Sequence, residues 1–154
     1  MHRRTLLIVT ALAAASPAAA QRPALAPHSL DIKYVRDAEE YATLTRMVYR
    51  MAGTSVARQA AALPRGAVWA VVLDLDETAL DNSAYQLERA AYGLPFDGPS
   101  WSAWVDRAEA GLVPGVADFI AGVRRLGGKV AWVSDRSAAG RAATRAVLIR
   151  DGIW

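Results

Sequence analysis

Cysteine is absent from the 154-residue sequence, and this absence excludes a disulfide-stapled scaffold and a thiolate metal site. Aromatic residues are few, at 8%, whereas 53% of the residues are apolar and 21% are charged. This balance is typical of a folded chain and excludes a disordered tail. The length leaves room for one modest domain.

A basic run is also absent. The sequence has 18 Lys and Arg against 15 Asp and Glu, a formal charge of +3, and without the N-terminal pair Arg3 and Arg4 the excess falls to about +1. The remaining basic residues are scattered among acidic ones, with no interleaved aromatic pattern. We therefore expect no nucleic-acid partner.

No hydrophobic run reaches the roughly 20 residues that span a bilayer. Residues 1–20 instead combine the Arg3–Arg4 pair, an apolar stretch over 6–15 and the small triplet at 18–20, the pattern of a secretory signal peptide. We expect a periplasmic or secreted protein. A stable membrane anchor is not expected, because the apolar stretch is short and no cysteine follows it for lipid attachment.

Residues 21–34 contain Pro23 and Pro27 and are predicted to form an irregular leader, followed by one domain over 35–154. A helix is predicted from Val35, weakened or broken at Gly53. Its apolar face is expected to consist of residues at three- and four-residue spacing, namely Tyr41, Leu44, Val48 and Met51.

Two continuous apolar runs, at 67–73 and 129–134, predict strands buried on both faces of a parallel sheet. Short helices are predicted between and after them, at 82–92, 100–110, from Pro114–Gly115 onward and at 138–150. This order of helices and strands predicts an α/β fold.

The residues most indicative of chemistry follow the first strand, at Asp74, Asp76 and Thr78. Ligands gather at the carboxyl ends of parallel strands, so position and residue type agree. Asp74 could attack an electrophile such as phosphorus, and Asp76 could exchange a proton with the leaving alcohol and the attacking water. A hard divalent cation such as Mg²⁺ would offset the two charges. The alternative is a solvated acidic turn.

The second strand ends in Ser134, Asp135 and Arg136, where the serine hydroxyl could hydrogen-bond a phosphoryl oxygen held near Asp74. The alternative is that Ser134 begins the turn into the next helix. The two strand ends together favour a phosphate site.

The stretch DLDETALDNS at 74–83 resembles motif I of the haloacid dehalogenase (HAD) superfamily of phosphohydrolases. With Tyr85, Trp101-x-x-Trp104-Val105, VPG at 113–115 and WVSDR at 132–136, the sequence more narrowly resembles the class C bacterial acid phosphatases. The resemblance covers roughly residues 35–154. It implies a HAD-like Rossmannoid α/β fold with small helical cap elements between motifs I and II.

The resemblance implies a Mg²⁺-dependent phosphomonoesterase with an aspartyl-phosphate intermediate on Asp74. Asp76 is implied as the general acid/base, Asp74 and Asp76 as metal ligands, and Ser134, Asp135 and Arg136 as phosphate-binding residues. The substrate is expected to be a phosphomonoester, with a nucleotide as one candidate.

The aromatic residues between the two strands are candidates for contacting a substrate. Tyr85 and Trp104 could stack on an aromatic leaving group such as a nucleobase, or they could simply pack short helices onto the domain. Packing is the preferred interpretation for Trp101.

Members of this family carry four motifs, of which the sequence carries the first two. The other two, a basic residue and an acidic pair, are missing after Arg136. We therefore expect a sheet that is incomplete at the C-terminus and a truncated enzyme with little activity. The alternative is an exported, non-catalytic module that binds phosphate, a metal or another protein.

Overall fold

The computed structural model describes residues 29–154. The predicted signal peptide and residues 21–28 of the predicted leader lie outside the described residues. The helices are α1 Leu30–Asp37, α2 Glu39–Ala61, α3 Ser83–Ala91, α4 Gly98–Arg107, α5 Val116–Arg125 and α6 Arg141–Arg150, with a 3₁₀ turn at Ala138–Gly140. The strands are β1 Ala70–Leu73, β2 Leu80–Asp81, β3 Gly111–Leu112 and β4 Lys129–Trp132.

The two predicted apolar strands pair with each other in parallel, and this confirms the α/β class. β1 and β4 lie in register from Ala70 opposite Lys129 to Leu73 opposite Trp132. Each strand is four residues long and is therefore shorter than its apolar run. The Val133 N–H donates to the Leu73 carbonyl at 3.0 Å, so the pairing continues to the carboxyl end of both strands.

The prediction that these strands are buried on both faces is wrong for the described residues. Exposure alternates along each strand, and the side chain of Val72 is 67% exposed. Helix α5 contacts β4 and α2 contacts α5, with Val71, Leu73, Val130 and Trp132 packed against the core. Within residues 29–154 no helix or strand covers the opposite face of this pair. An apolar run in the sequence does not show whether one face of a strand or both faces are covered.

Helix α1 begins inside the predicted leader, which corrects the boundary at residue 34. Ile32 is buried, and the Arg36 guanidinium donates to the Ser83 hydroxyl at the start of α3. These contacts make residues 30–34 part of the folded domain.

Helix α2 runs without a break through Gly53, contrary to the predicted weakening there. A Cβ at Gly53 would make an ordinary contact with the Phe119 ring at 3.9 Å. The close approach of α2 is to Gly115 at the start of α5, where a Cβ would lie 3.0 Å from the Arg46 Cα. The prediction of the apolar face of α2 is also wrong, because a different face packs against the core. Tyr49, Ala52 and Val56 pack against the core, whereas much of the predicted face is exposed at Leu44, Val48 and Met51.

The segment between the parallel strands holds α3, α4 and the antiparallel pair of β2 and β3. The helices predicted at 82–92 and 100–110 are confirmed as α3 and α4 with shifted ends. Asp97 caps α4 by accepting from the Ser100 N–H at 2.8 Å, so α4 begins at Gly98, two residues before the predicted start. The antiparallel β2–β3 pair was not predicted, since two-residue strands leave no periodicity.

The core lies between α4, α5, α6 and the loop after β1. Its fully buried side chains include Leu80, Ile120, Leu148 and Ile153. Among the described helices, none has both the length and the apolar character needed to cross a membrane.

Candidate active site

Asp74 lies immediately after β1, and Ser134 lies two residues after β4 ends. Because the strands are parallel and in register, both residues lie at the same edge of the pair. The Asp74 side chain is exposed, and its Oδ1 accepts from the Leu75 N–H at 2.7 Å. Asp74 is therefore a carboxylate at this edge that an approaching solute can reach.

The loop after Asp74 is a tight, hydrogen-bonded turn. The Leu75 carbonyl accepts from the N–H groups of Ala79 at 2.8 Å and Leu80 at 2.7 Å, and the Glu77 N–H donates to the Leu80 carbonyl. Glu77 adopts a left-handed φ of 52°, which is uncommon for a residue with a side chain. The surrounding hydrogen bonds hold Glu77 in this conformation.

Helix α2 also supports the loop. The Tyr49 hydroxyl donates to the Thr78 carbonyl at 2.6 Å, and burial raises the pKa of Tyr49, which keeps this donor protonated. The Tyr49 hydrogen bond thus ties helix α2 to the loop after β1.

Asp76 forms an ion pair with Arg136, a residue 60 positions later. Arg136 Nε lies 3.0 Å from both Asp76 carboxylate oxygens, and Nη2 lies 2.5 Å from Oδ1. The side chains are 16% and 5% exposed, respectively. The structure therefore brings two of the predicted site residues into direct contact, although Arg136 was predicted to bind phosphate.

Asn82 is the centre of this network, and it was not among the predicted site residues. Its Nδ2 donates to Asp76 Oδ1 at 2.8 Å and to Glu77 Oε1 at 3.2 Å. Its Oδ1 accepts from Trp104 Nε1 at 2.9 Å and from Arg136 Nη2 at 3.3 Å. All four contacts are made by a residue that is 1% exposed. A polar residue within motif I was the only available signal, and the identity of its partners depends on tertiary structure.

The Glu77 carboxyl adds a third acidic group to this region. Desolvation raises the pKa of Glu77, with smaller contributions from the charges of Asp76 and Asp81, while hydrogen bonds from Asn82 oppose the shift. Glu77 was not among the predicted site residues.

The predicted phosphate-binding residues after β4 differ in their surroundings. The Ser134 Oγ accepts from the Arg136 N–H at 3.2 Å and so closes the turn after the strand. Asp135 is exposed. Arg136 is held by Asp76 and by the Thr144 hydroxyl on α6, which accepts from Nη1 at 3.1 Å. Ser134 and Asp135 therefore remain the groups at this strand end without a carboxylate or guanidinium partner among residues 29–154.

The aromatic residues of the intervening helices lie in the core. Tyr85 and Trp104 are 5% and 2% exposed, so packing accounts for both rings. The Tyr85 hydroxyl pairs with the Ser100 hydroxyl at 2.9 Å. Trp101 is partly exposed and stacks against the Arg136 guanidinium, 5.6 Å from its ring centroid. Phe96, 67% exposed, lies 6.1 Å from the Trp101 ring.

The residues present fit part of a divalent metal site. Within residues 29–154, no group of three or more metal-ligating side chains is close enough to hold an ion. Magnesium, however, is often held by one or two carboxylates, with water and phosphate oxygens completing the coordination. Because Arg136 engages the Asp76 carboxylate, the Asp74 carboxylate is the predicted metal ligand that stays available to an ion.

Comparison with known proteins agrees with this geometry. The family model of HAD superfamily, subfamily IIIB (acid phosphatase) matches residues 9–154. The chain is similar to the class C acid phosphatase from Bacillus anthracis with tungstate bound, with 31% sequence identity and a TM-score of 0.72, covering 80% of this chain and 51% of that one. A second structure of that enzyme gives 32% identity, a TM-score of 0.70 and coverage of 80% and 52%.

The chain thus spans about half the length of the solved enzyme that it resembles. The predicted HAD-like fold is confirmed over the matched residues. With strand-end aspartates at the expected positions and a family match over nearly its whole length, the chain belongs to subfamily IIIB of the HAD superfamily, the acid phosphatases.

Proposed function

We propose that this chain is the part of an exported, Mg²⁺-dependent phosphomonoesterase that carries the nucleophile. The observation that carries the proposal is the exposed Asp74 carboxylate at the shared end of β1 and β4, in a chain of the acid phosphatase family. The similar Bacillus anthracis enzyme was solved with tungstate bound, and tungstate is a tetrahedral oxyanion like phosphate.

In the proposed reaction, an Asp74 carboxylate oxygen attacks the phosphorus of a phosphomonoester. The bond between phosphorus and the ester oxygen breaks, and Asp76, which must be protonated at this stage, gives its proton to the leaving alcohol. Water then attacks the aspartyl-phosphate, Asp76 takes a proton from that water, and the bond to Asp74 breaks to release phosphate. Mg²⁺, when bound, would neutralise the phosphoryl oxygens.

The ion pair with Arg136 suggests which Asp76 oxygen exchanges the proton. Oδ1 accepts from Arg136 Nε and Nη2 and from Asn82, whereas Oδ2 accepts only from Arg136 Nε among the described residues. Oδ2 thus keeps more capacity for a further hydrogen bond. We assign proton transfer to Oδ2, with Arg136 and Asn82 orienting the carboxylate.

The groups after β4 would hold the phosphoryl oxygens. The Ser134 hydroxyl is already oriented by the Arg136 N–H, to which it presents a lone pair, and so its own proton is available to an anion. Asp135 and Arg136 lie in the same turn after β4. A nucleotide is one candidate ester, with the partly exposed Trp101 and Phe96 as the accessible aromatic rings near Arg136.

The test separates binding of a phosphoryl group from turnover. In the presence of Mg²⁺, beryllium fluoride or aluminium fluoride should raise the melting temperature, because a ligand at 100 times its dissociation constant stabilises a protein by about 2.7 kcal/mol. The effect should disappear in Asp74→Asn and persist in the matched control Asp106→Asn, an exposed acid on α4.

Hydrolysis of p-nitrophenyl phosphate is measured on the same samples, and we expect slow turnover at most. Robust Mg²⁺-dependent hydrolysis that is lost in Asp74→Asn would contradict that expectation while supporting the nucleophile. Absence of any fluoride-dependent stabilisation would refute the catalytic proposal and favour the non-catalytic binding module. Export to the periplasm or medium is checked separately by locating the chain in cell fractions.

A further inference from the structure

A groove lies between helices α2 and α5, and we call it the α2–α5 groove. Its volume is about 390 Å³, within the range of roughly 300–1,000 Å³ that is common for small-molecule sites. Gly53 of α2 and Gly122 of α5 both line it. Beyond the backbone of its own helix, a Cβ at Gly53 would have only the Phe119 ring within 4 Å, and a Cβ at Gly122 only Arg125 Nη2. The space between the helices is open because neither glycine has a side chain.

The floor of the α2–α5 groove is apolar. Phe119 and Val123 of α5 line it and are buried, and Tyr49 and Val56 line it from α2. The Tyr49 and Phe119 rings lie 5.4 Å apart between their centroids. This floor can bind the apolar part of a ligand, because such contact removes apolar surface from water.

Arginine side chains line the same groove, Arg46 and Arg50 from α2 and Arg125 from α5. All three are exposed, and none forms an ion pair with another residue in the part of the chain that the structure describes. Asp118 is the acidic residue of this lining. Three positive charges against one negative give the groove a net charge of +2, which attracts an anion.

We propose that the α2–α5 groove binds a small organic anion that has a phosphate, sulfonate or carboxylate head group and an apolar body. The guanidinium groups bind the head group, because arginine offers paired N–H donors to oxyanions. The apolar body lies along the floor, in the space that Gly53 and Gly122 leave open. An inorganic anion would leave the floor in water, and a neutral apolar molecule would leave the arginines without a partner. The lining therefore favours a ligand that carries both parts.

The α2–α5 groove is separate from the candidate active site. Among residues 29–154, its lining includes no residue of the loop after β1 or of the turn after β4. The connection between the two is Tyr49, whose side chain lines the groove and whose hydroxyl donates to the Thr78 carbonyl. Binding in the groove can therefore be measured without turnover.

The test compares three probes on the full 154-residue chain by fluorescence titration. Anilinonaphthalene sulfonate carries an anionic head group and an aromatic body. Phenylnaphthylamine has nearly the same body without the charge, and inorganic phosphate has the charge without the body. We expect anilinonaphthalene sulfonate to bind most tightly, with an affinity that falls as salt is added. Phosphate should not displace it at equal concentration.

Substitutions in the groove should change binding in opposite directions. Arg50→Gln and Arg125→Gln should each weaken binding of anilinonaphthalene sulfonate about three- to tenfold and hardly affect phenylnaphthylamine. Asp118→Asn should strengthen it, because the carboxylate repels an anion in the same groove. Gly53→Leu should remove binding of both naphthalene probes by filling the groove. Leucine favours a helix more than glycine does, so this change should not weaken α2.

Two control variants lie outside the groove. Arg58→Gln removes an exposed arginine of α2 that does not line it, and Val72→Ser adds a hydroxyl to the exposed face of β1. Both should leave binding of anilinonaphthalene sulfonate unchanged. Circular dichroism and the melting temperature of each variant separate a loss of binding from a loss of folding.

Four outcomes would overturn the proposal. Equal affinity for anilinonaphthalene sulfonate and phenylnaphthylamine would mean that the arginines contribute nothing. Loss of binding in Val72→Ser but not in Gly53→Leu would place the site on the sheet. Full displacement by phosphate at equal concentration would indicate a simple oxyanion site. Absence of binding by every probe would mean that the groove takes no small ligand, as expected if another protein covers it.

Discussion

The ion pair between Asp76 and Arg136 offers a direct test of how tertiary structure holds the candidate site together. Replacing Arg136 by Met removes the guanidinium and leaves the Asp76 carboxylate, which is 16% exposed, without its cation. Replacing Asp76 by Asn leaves the guanidinium without a carboxylate. We expect each single change to destabilise the protein and the double change to cost much less than their sum.

The magnitude follows from burial and geometry. Three Arg136-to-Asp76 hydrogen bonds between 2.5 and 3.0 Å join side chains that are 5% and 16% exposed. Removing one partner of such a buried pair costs about 3–5 kcal/mol, because the remaining charge is desolvated without compensation. For a domain stable by about 5–15 kcal/mol, this loss is about a fifth of the total or more. We expect a coupling energy of about 2–4 kcal/mol between the two positions.

The protein contains a matched control pair. Arg107 and Glu88 also approach closely, at 2.6 Å, but their side chains are 40% and 48% exposed. Solvent screening should limit the coupling of this pair to about 0.2–1 kcal/mol. Both pairs join an arginine to a carboxylate, but the surface pair is more exposed, has one hydrogen bond instead of three, and shares Arg107 with Glu109.

The assay is a double-mutant cycle for each pair by urea unfolding, followed by far-ultraviolet circular dichroism. A coupling energy for Asp76 and Arg136 below about 1 kcal/mol, or equal to that of Glu88 and Arg107, would refute the reasoning. It would mean that burial does not make the site pair stronger than a surface pair.

Two further predictions concern the same network. Asn82→Ala should lower the free energy of unfolding by about 2–4 kcal/mol in urea titrations, because the buried Trp104 N–H loses its acceptor and Asp76 loses a donor; a loss below about 1 kcal/mol would contradict this role. Desolvation is the main cause that raises the pKa of Glu77 in the folded protein. The folded state therefore holds this proton more tightly than the unfolded chain does. Ionised Glu77 destabilises the fold as the pH rises through and above the ordinary value of 4.5. Glu77→Gln should therefore gain stability relative to wild type between about pH 4 and about pH 7, and a difference that is constant or shrinks over that range would argue against the shift.

Much of the site's position was predictable from local sequence. Two apolar, β-branched runs followed by Asp74 and Ser134 predicted parallel strands with polar side chains at their carboxyl ends. That inference needs only the rule that parallel strand ends meet at one edge of a sheet. The helices of the intervening segment were likewise predictable in type, with ends shifted by a few residues, as caps such as Asp97 are hard to locate from sequence.

The orientation of α2 was not predictable in the same way. Its sequence carries two apolar faces, one with Leu44, Val48 and Met51 and another with Tyr49 and Val56. Periodicity shows that a helix forms but does not rank its faces. Gly115 at the start of α5 allows close contact with Arg46 and Tyr49 of α2, and that contact decides which face is buried.

The amino-acid sequence by itself therefore determined the α/β class, the family and the aspartate that the proposal makes the nucleophile, because each depends on runs and motifs of neighbouring residues. Only the tertiary structure decided that Arg136 pairs with Asp76, that Asn82 joins them to Trp104 and that one face of the β1–β4 pair is exposed. The physical reason is that these features depend on groups brought together over 22 to 60 residues, whose partners no local pattern specifies.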